Sequence, residues 1–201
     1  MRIYLIRHTT PGIDSGICYG QADVGLGENF EEEKDAVLNK MGADPGLEII
    51  YTSPLHRCVR LAGSLNGSRM VTDDRLLEMN FGEWELKKWD SIDQRKLDAW
   101  MSDFVEQMPP GGESLRMLYR RVGKYIGHLL REPFETVAVV THAGVIRCFW
   151  AHLTGVPFNQ LFSVGVDYGD VFIVQIEQDI TQATIRKVPA RERPKMECRT
   201  R

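Results

Sequence analysis

The sequence predicts an α/β layered fold with a mostly parallel sheet and an antiparallel edge, and three observations carry that expectation. Short runs at Arg2–Arg7, 48–52 and Thr136–Thr141 are nearly continuous in apolar residues, as central strands buried on both faces are. Helix-like stretches separate them, the alternation that gives layered sheets. A chain of 201 residues with 43% hydrophobic composition can bury one core, and no repeat or linker divides it.

Taken in order, the chain opens on the strand MRIYLIRHTT, whose apolar stretch is far shorter than a signal-peptide core or a membrane span. Residues 29–41 predict the first helix and 54–65 the second, with Pro54 in a first-turn position where its missing N–H is tolerated. A helix over 90–107 is expected to cross above the site, inside a small cap segment around 85–112. Further helices are expected over 113–131 and 144–153, with Gly111, Gly112 and Ser114 shaping a turn and capping the first of them. The alternating runs 171–176 and 184–188 suit a hairpin on the sheet edge. Residues 1–189 therefore read as one domain. The basic, apolar-poor tail 190–201 reads as disordered and is given no function.

Composition excludes several classes. A net charge of −3 and a pI near 6.0 give no basic excess for nucleic acid or an anionic membrane, so a bound anion must be held locally. Cys18, Cys58, Cys148 and Cys198 form no CxxC pair and no disulfide framework, which fits reduced thiols in a cytoplasm. His56, His128 and His152 lack metal-ligand spacing, so no metal and no cofactor is expected. Monomer and dimer both stay open.

In an open parallel sheet, ligands bind beyond the carboxyl ends of the strands. Arg7 and His8 follow the first strand, Ser53 and Arg57 the second, and His142 the third. Taken singly, Arg7 and His8 read as a surface pair, Arg57 as a solvated helix residue and Glu78 as a surface carboxylate. Their joint placement at three strand ends points instead to phosphoryl transfer through histidine. A neutral imidazole can attack phosphorus, which makes His8 the candidate nucleophile. Arg7 and Arg57 offer planar forks for phosphate oxygens, and His142 a third contact if protonated or donating. The leaving oxygen needs a proton; Glu78 is the candidate donor, with Glu83 and Glu85 as rivals.

The blocks LIRHTTPG (5–12), YTSPLHRC (51–58), LLEMNFGEWE (76–85) and VVTHAGVIR (139–147) resemble, in the expected order, the motifs of the histidine phosphatase superfamily, to which phosphoglycerate mutases also belong. The resemblance implies a three-layer α/β/α sandwich and a metal-independent phosphomonoesterase. It places the phosphorylated nucleophile on His8, the partner arginines on Arg7 and Arg57, the second histidine on His142 and the proton donor on Glu78, so that Glu83 and Glu85 drop out. More narrowly, CYGQADVGL (18–26) and PPGGES (109–114) are similar to α-ribazole phosphatases of cobalamin assembly, which would set Tyr19, Gly20 and Gln21 at the border of the pocket. The implied partner is a small phosphorylated organic substrate. A broad sugar-phosphate or nucleotide phosphatase is the nearest alternative, ahead of a mutase, for which the stretch after Glu85 looks short, and of a non-catalytic phosphate-binding module.

Five positions depart from the family pattern. Thr9 and Ala143 stand where glycine is common, Thr10 where many members are acidic, and Leu86 where a glycine often closes the block. Asp14 falls where an asparagine commonly meets phosphate; a carboxylate there would repel a dianion, so Asp14 is expected to face away. Trp84, Trp89, Trp100 and Trp150 read as core or lid packing, with Trp84 and Trp89 as candidates for an apolar wall.

Overall fold

Strand β1 (Arg2–Arg7) sends alternate side chains into two separate cores: Ile3 and Leu5 into one, Tyr4 and Ile6 into the other. All four are buried, so both faces of the sheet need cover. A computed structural model, which describes residues 1–177 and 180–189, shows where that cover comes from. Helices α4 (Leu115–Leu129) and α5 (Ala143–Thr154) close the first core with Leu118, Val122, Tyr125, Ile146 and Phe149. Helices α1 (Phe30–Met41) and α2 (His56–Ala62) close the second with Phe30, Val37, Cys58 and Leu61. The result is a three-layer α/β/α sandwich.

The sheet has six strands in the order β3-β2-β4-β1-β5-β6, with β2 (Ile49–Thr52), β3 (Met70–Thr72), β4 (Thr136–Thr141), β5 (Val171–Gln175) and β6 (Thr184–Lys187). Neighbours among β1 to β4 pair parallel; β5 and β6 add the antiparallel edge. Register positions the site. Arg7 pairs with Thr141 and Thr52 with Val140, so β1, β2 and β4 end level. The residues that follow, His8, Ser53 and His142, emerge side by side, and the His8 and Ser53 N–H groups donate to the Thr141 and Val140 carbonyls at 3.0 Å.

Three elements differ from the sequence expectation. Helix α2 is shorter than 54–65, because Leu55 is extended (ψ 138°) and leaves Pro54 outside it. The expected helix over 90–107 is broken: a 3-10 turn at Trp89–Ser91 is followed by an extended Ile92, and α3 (Gln94–Ser102) starts only where the Asp93 side chain accepts from Arg95 and Lys96 N–H. Strand β3 was not anticipated. It is three residues long with only Val71 half-buried, too little apolar pattern to read. The tail from 190, with Cys198, lies outside the described residues. Among the described residues, no helix is long and apolar enough to cross a membrane.

Candidate active site

His8, Arg57 and His142 are at most 2% exposed, so each polar atom must find a partner inside the protein or in a ligand. His8 Nδ1 lies 2.7 Å from the Thr9 carbonyl, which can only accept. The Nδ1 therefore carries the hydrogen, and the lone pair sits on Nε2. Burial, the Arg57 charge beside it and, more weakly, Arg7 push the His8 ring well below the ordinary histidine value, against the opposing Thr9 bond. The ring is neutral at pH 7.

Arg57 is held by the loop after Ile17: Nη2 donates to the Gly20 carbonyl at 2.6 Å and Nη1 to Ala22 at 2.9 Å. Arg7 Nη1 donates to Val166 at 2.7 Å. The Nε atoms of both arginines are buried without a hydrogen-bond partner among the described residues. Two guanidinium charges close to one histidine, each with an unpaired donor, suit an anion. His142 Nε2 is 2.8 Å from Ser53 Oγ and its Nδ1 3.4 Å from Arg57 Nη2. Burial, His8 and the arginines hold this ring well below its usual value, which favours the neutral, donating form over the protonated one. With Ser53 donating to Nε2, Nδ1 carries the hydrogen; with Ser53 accepting, Nδ1 takes Arg57's.

The structure separates the three glutamates. Glu78 lines the cavity, and its carboxylate accepts from Met79 N–H at 2.9 Å and Gly144 N–H, in the first turn of α5, at 3.1 Å. A Cβ on Gly144 would stand 2.3 Å from Glu78 Oε1, so only glycine lets the helix approach this closely. Glu83 is exposed. Glu85 is a clamp: its carboxylate accepts from the N–H groups of Gly20, Gln21, Ala22 and Phe81 at 2.8–3.1 Å.

Tyr19 lines the cavity, but Gly20 and Gln21 do not. Gly20 gives its carbonyl to Arg57, and Gln21 Nε2 donates to the Glu78 carbonyl at 2.9 Å. Both act on the machinery from behind. Asp14 is exposed and outside the cavity, and Thr10 is tied to Glu33 through its N–H and hydroxyl. Leu86 adopts φ 63°, the left-handed backbone that glycine takes without strain, which accounts for the glycine common at this position.

The cavity, about 260 Å³, continues away from His8 between Phe81, Trp89, Trp100, Phe104, Leu115 and Phe162. Trp89 and Trp100 stack at 6.4 Å. Trp84 lies behind them in a small core with Cys18 and Ile92, and Trp150 packs on Phe172 elsewhere. Sequence reading missed several of these roles. Arg121, on α4, donates to the carbonyls of Arg75, Leu77 and Glu78 and pairs with Glu113, bracing the Glu78 segment. Tyr168, in the turn before β5, places its ring 3.7 Å under the Arg7 guanidinium. No spacing in the sequence marks either.

The family model for the histidine phosphatase superfamily, branch 1, matches residues 3–187. The chain belongs to this superfamily. It is a phosphatase of that class, and several of its relatives carry phosphatase names. An adenosylcobalamin/α-ribazole phosphatase from Escherichia coli strain K12 is 29% identical over 95% of this chain and 97% of its own. A putative phosphoserine phosphatase 2 from Hydrogenobacter thermophilus is 27% identical over 88% and 90%. The crystal structure of the α-ribazole phosphatase from Shigella flexneri superposes with a TM-score of 0.83 at 26% identity, covering 94% of this histidine phosphatase and 96% of its own chain.

Proposed function

We propose that this histidine phosphatase hydrolyses a small phosphate monoester in two displacements, and that α-ribazole 5′-phosphate is its substrate. The single observation that carries the mechanism is the His8 tautomer. With Nδ1–H given to Thr9, Nε2 presents its lone pair and attacks phosphorus. The P–O ester bond breaks as N–P forms, and Glu78 gives the leaving oxygen a proton. Water then attacks the phosphohistidine, Glu78 takes the proton back, and His8 is restored with release of inorganic phosphate. Arg7 and Arg57 hold the equatorial oxygens, where charge stays throughout. His142 adds a third donor in the tautomer in which Ser53 supplies the hydrogen to Nε2.

The substrate reading is supported by the aromatic wall, which fits a flat, apolar leaving group, and by the likeness to α-ribazole phosphatases. A broad-specificity phosphatase is the second reading, favoured by the scarcity of polar groups on that wall. Phosphate release in EDTA from α-ribazole 5′-phosphate, beside sugar phosphates, nucleotides, phosphoserine and 3-phosphoglycerate, decides between them. A preference of tenfold or more in kcat/KM, about 1.4 kcal/mol, is expected for α-ribazole 5′-phosphate; equal release from all leaves the broad reading. A ³²P label stable to alkali and labile to acid should form on the wild-type protein. Its persistence in His8→Ala would overturn the mechanism.

A further inference from the structure

Each of the two phosphate-facing arginines lies over a tyrosine ring. The Arg7 guanidinium carbon is 3.7 Å from the Tyr168 ring centroid, and that of Arg57 is 5.4 Å from Tyr19. The two phenols are hydrogen-bonded to each other at 2.5 Å, although 149 residues separate them in the chain. The Tyr168 ring also packs 5.6 Å from His8. These features join the turn before β5, the loop after Ile17 and the catalytic strand end into one cluster.

The turn carrying Tyr168 is itself fixed to β1. Gly169 N–H donates to the His8 carbonyl at 3.1 Å, and Arg7 N–H donates to the Asp170 carbonyl at 3.0 Å. Asp170 is buried and paired with Lys40 and Lys187. Tyr168 therefore rests on a backbone that cannot shift without disturbing His8. Among the described residues Arg7 makes one side-chain hydrogen bond, to Val166, and an aromatic face is what remains to set the plane of its fork.

We propose that Tyr168 and Tyr19 are positioning residues: the hydrogen-bonded pair fixes the planes of Arg7 and Arg57 around the phosphate, and its second phenolic hydrogen is left to donate to a substrate oxygen. One O–H is used between the two phenols, so one remains. Each ring restricts a guanidinium before substrate arrives, which lowers the ordering cost of binding the phosphoryl group in its transition state. The inference rests on the phosphatase reading above and adds to it two residues acting through the arginines.

Inhibition by orthovanadate, a trigonal-bipyramidal stand-in for the transferring phosphoryl group, tests this together with kcat/KM. Tyr168→Leu removes ring and hydroxyl; its vanadate Ki is expected to rise about tenfold, with a matching fall in kcat/KM. Tyr168→Phe and Tyr19→Phe each break only the shared bond and should raise Ki about threefold. Each single variant keeps one phenol that can donate to the substrate oxygen, so the double Phe variant, which loses that donor as well, should be weaker than either single one by about a further threefold. In an Arg7→Lys background, Tyr168→Leu should cost less than about twofold, since the group it positions is gone. A merely structural tyrosine would lower thermal stability without this dependence on Arg7. Wild-type Ki in Tyr168→Leu, or equal losses with and without Arg7, overturns the proposal. If Tyr168→Leu does not fold, the Phe variants decide: a wild-type Ki in both overturns it. Wild-type protein that neither binds vanadate nor releases phosphate would instead overturn the phosphatase reading, and the tyrosine pair with it.

Discussion

At the phosphate end of the cavity His8, Arg57 and His142 are nearly sealed from solvent, and every one of them is fixed by hydrogen bonds from the ends of β1, β2 and β4 or the loop after Ile17. Across the cavity the wall is aromatic, its rings packed on one another, and its rim is open at Phe162, which is 56% exposed. The first region is rigid because its parts hang on a register-locked sheet. The second is built on short helices and 3-10 turns joined by extended residues, where a side chain can change without disturbing the sheet. Under the proposed function, chemistry and selection are thereby separated in space, an arrangement in which one set of reacting groups can serve different leaving groups.

The largest effect should come from the proposed proton donor. Glu78→Gln is expected to lower kcat for alkyl monoesters by about 10²–10⁴-fold. With p-nitrophenyl phosphate, whose leaving group needs no proton, the first displacement should survive and the second should not. A rapid-quench burst followed by accumulated phosphohistidine is the expected record, and steady turnover without it would assign the proton to another group.

A smaller loss, on the order of tenfold to a hundredfold in kcat, is expected from Gly144→Ala, because the new methyl meets Glu78 Oε1 at 2.3 Å and displaces the carboxylate. A crystal structure of the variant would show Glu78 moved. On the opposite wall, Phe104→Ala should raise KM for an aromatic monoester roughly tenfold, by loss of buried apolar contact, while glycerol phosphate is turned over as before. Equal effects on both substrates would erase the division between the two regions.

The phosphate end also carries a stability cost that the aromatic end does not. His8 and His142 both have ring values depressed below the unfolded one, so the unfolded chain binds protons first as the pH falls. Stability is full above about pH 6.5 and declines below it, toward the folded values. Thermal melts between pH 7 and 5 should show this decline, and it should be weaker in His142→Asn. The smallest effect is expected at Leu86, exposed and left-handed: Leu86→Gly removes the strain at the cost of chain entropy, for a net gain of about 0.5 kcal/mol in a denaturant melt.

The sequence by itself determined a layered α/β sheet and set Arg7, His8, Arg57 and His142 at or just after three strand ends, because strand burial and the residues after a strand are local properties of the chain; the three-layer sandwich and the choice of Glu78 over Glu83 and Glu85 came from the family resemblance. Only the tertiary structure decided what depends on approach from elsewhere. The Glu85 carboxylate became a clamp because four N–H groups from two loops converge on it. Gln21 turned from the pocket to the Glu78 carbonyl, and Trp100, on α3, and Phe104, just beyond its end, became wall residues. Tyr168 meets Tyr19 from 149 residues away, a contact that no spacing encodes, since it is set by the register of β1 against β5 and not by either residue's neighbours.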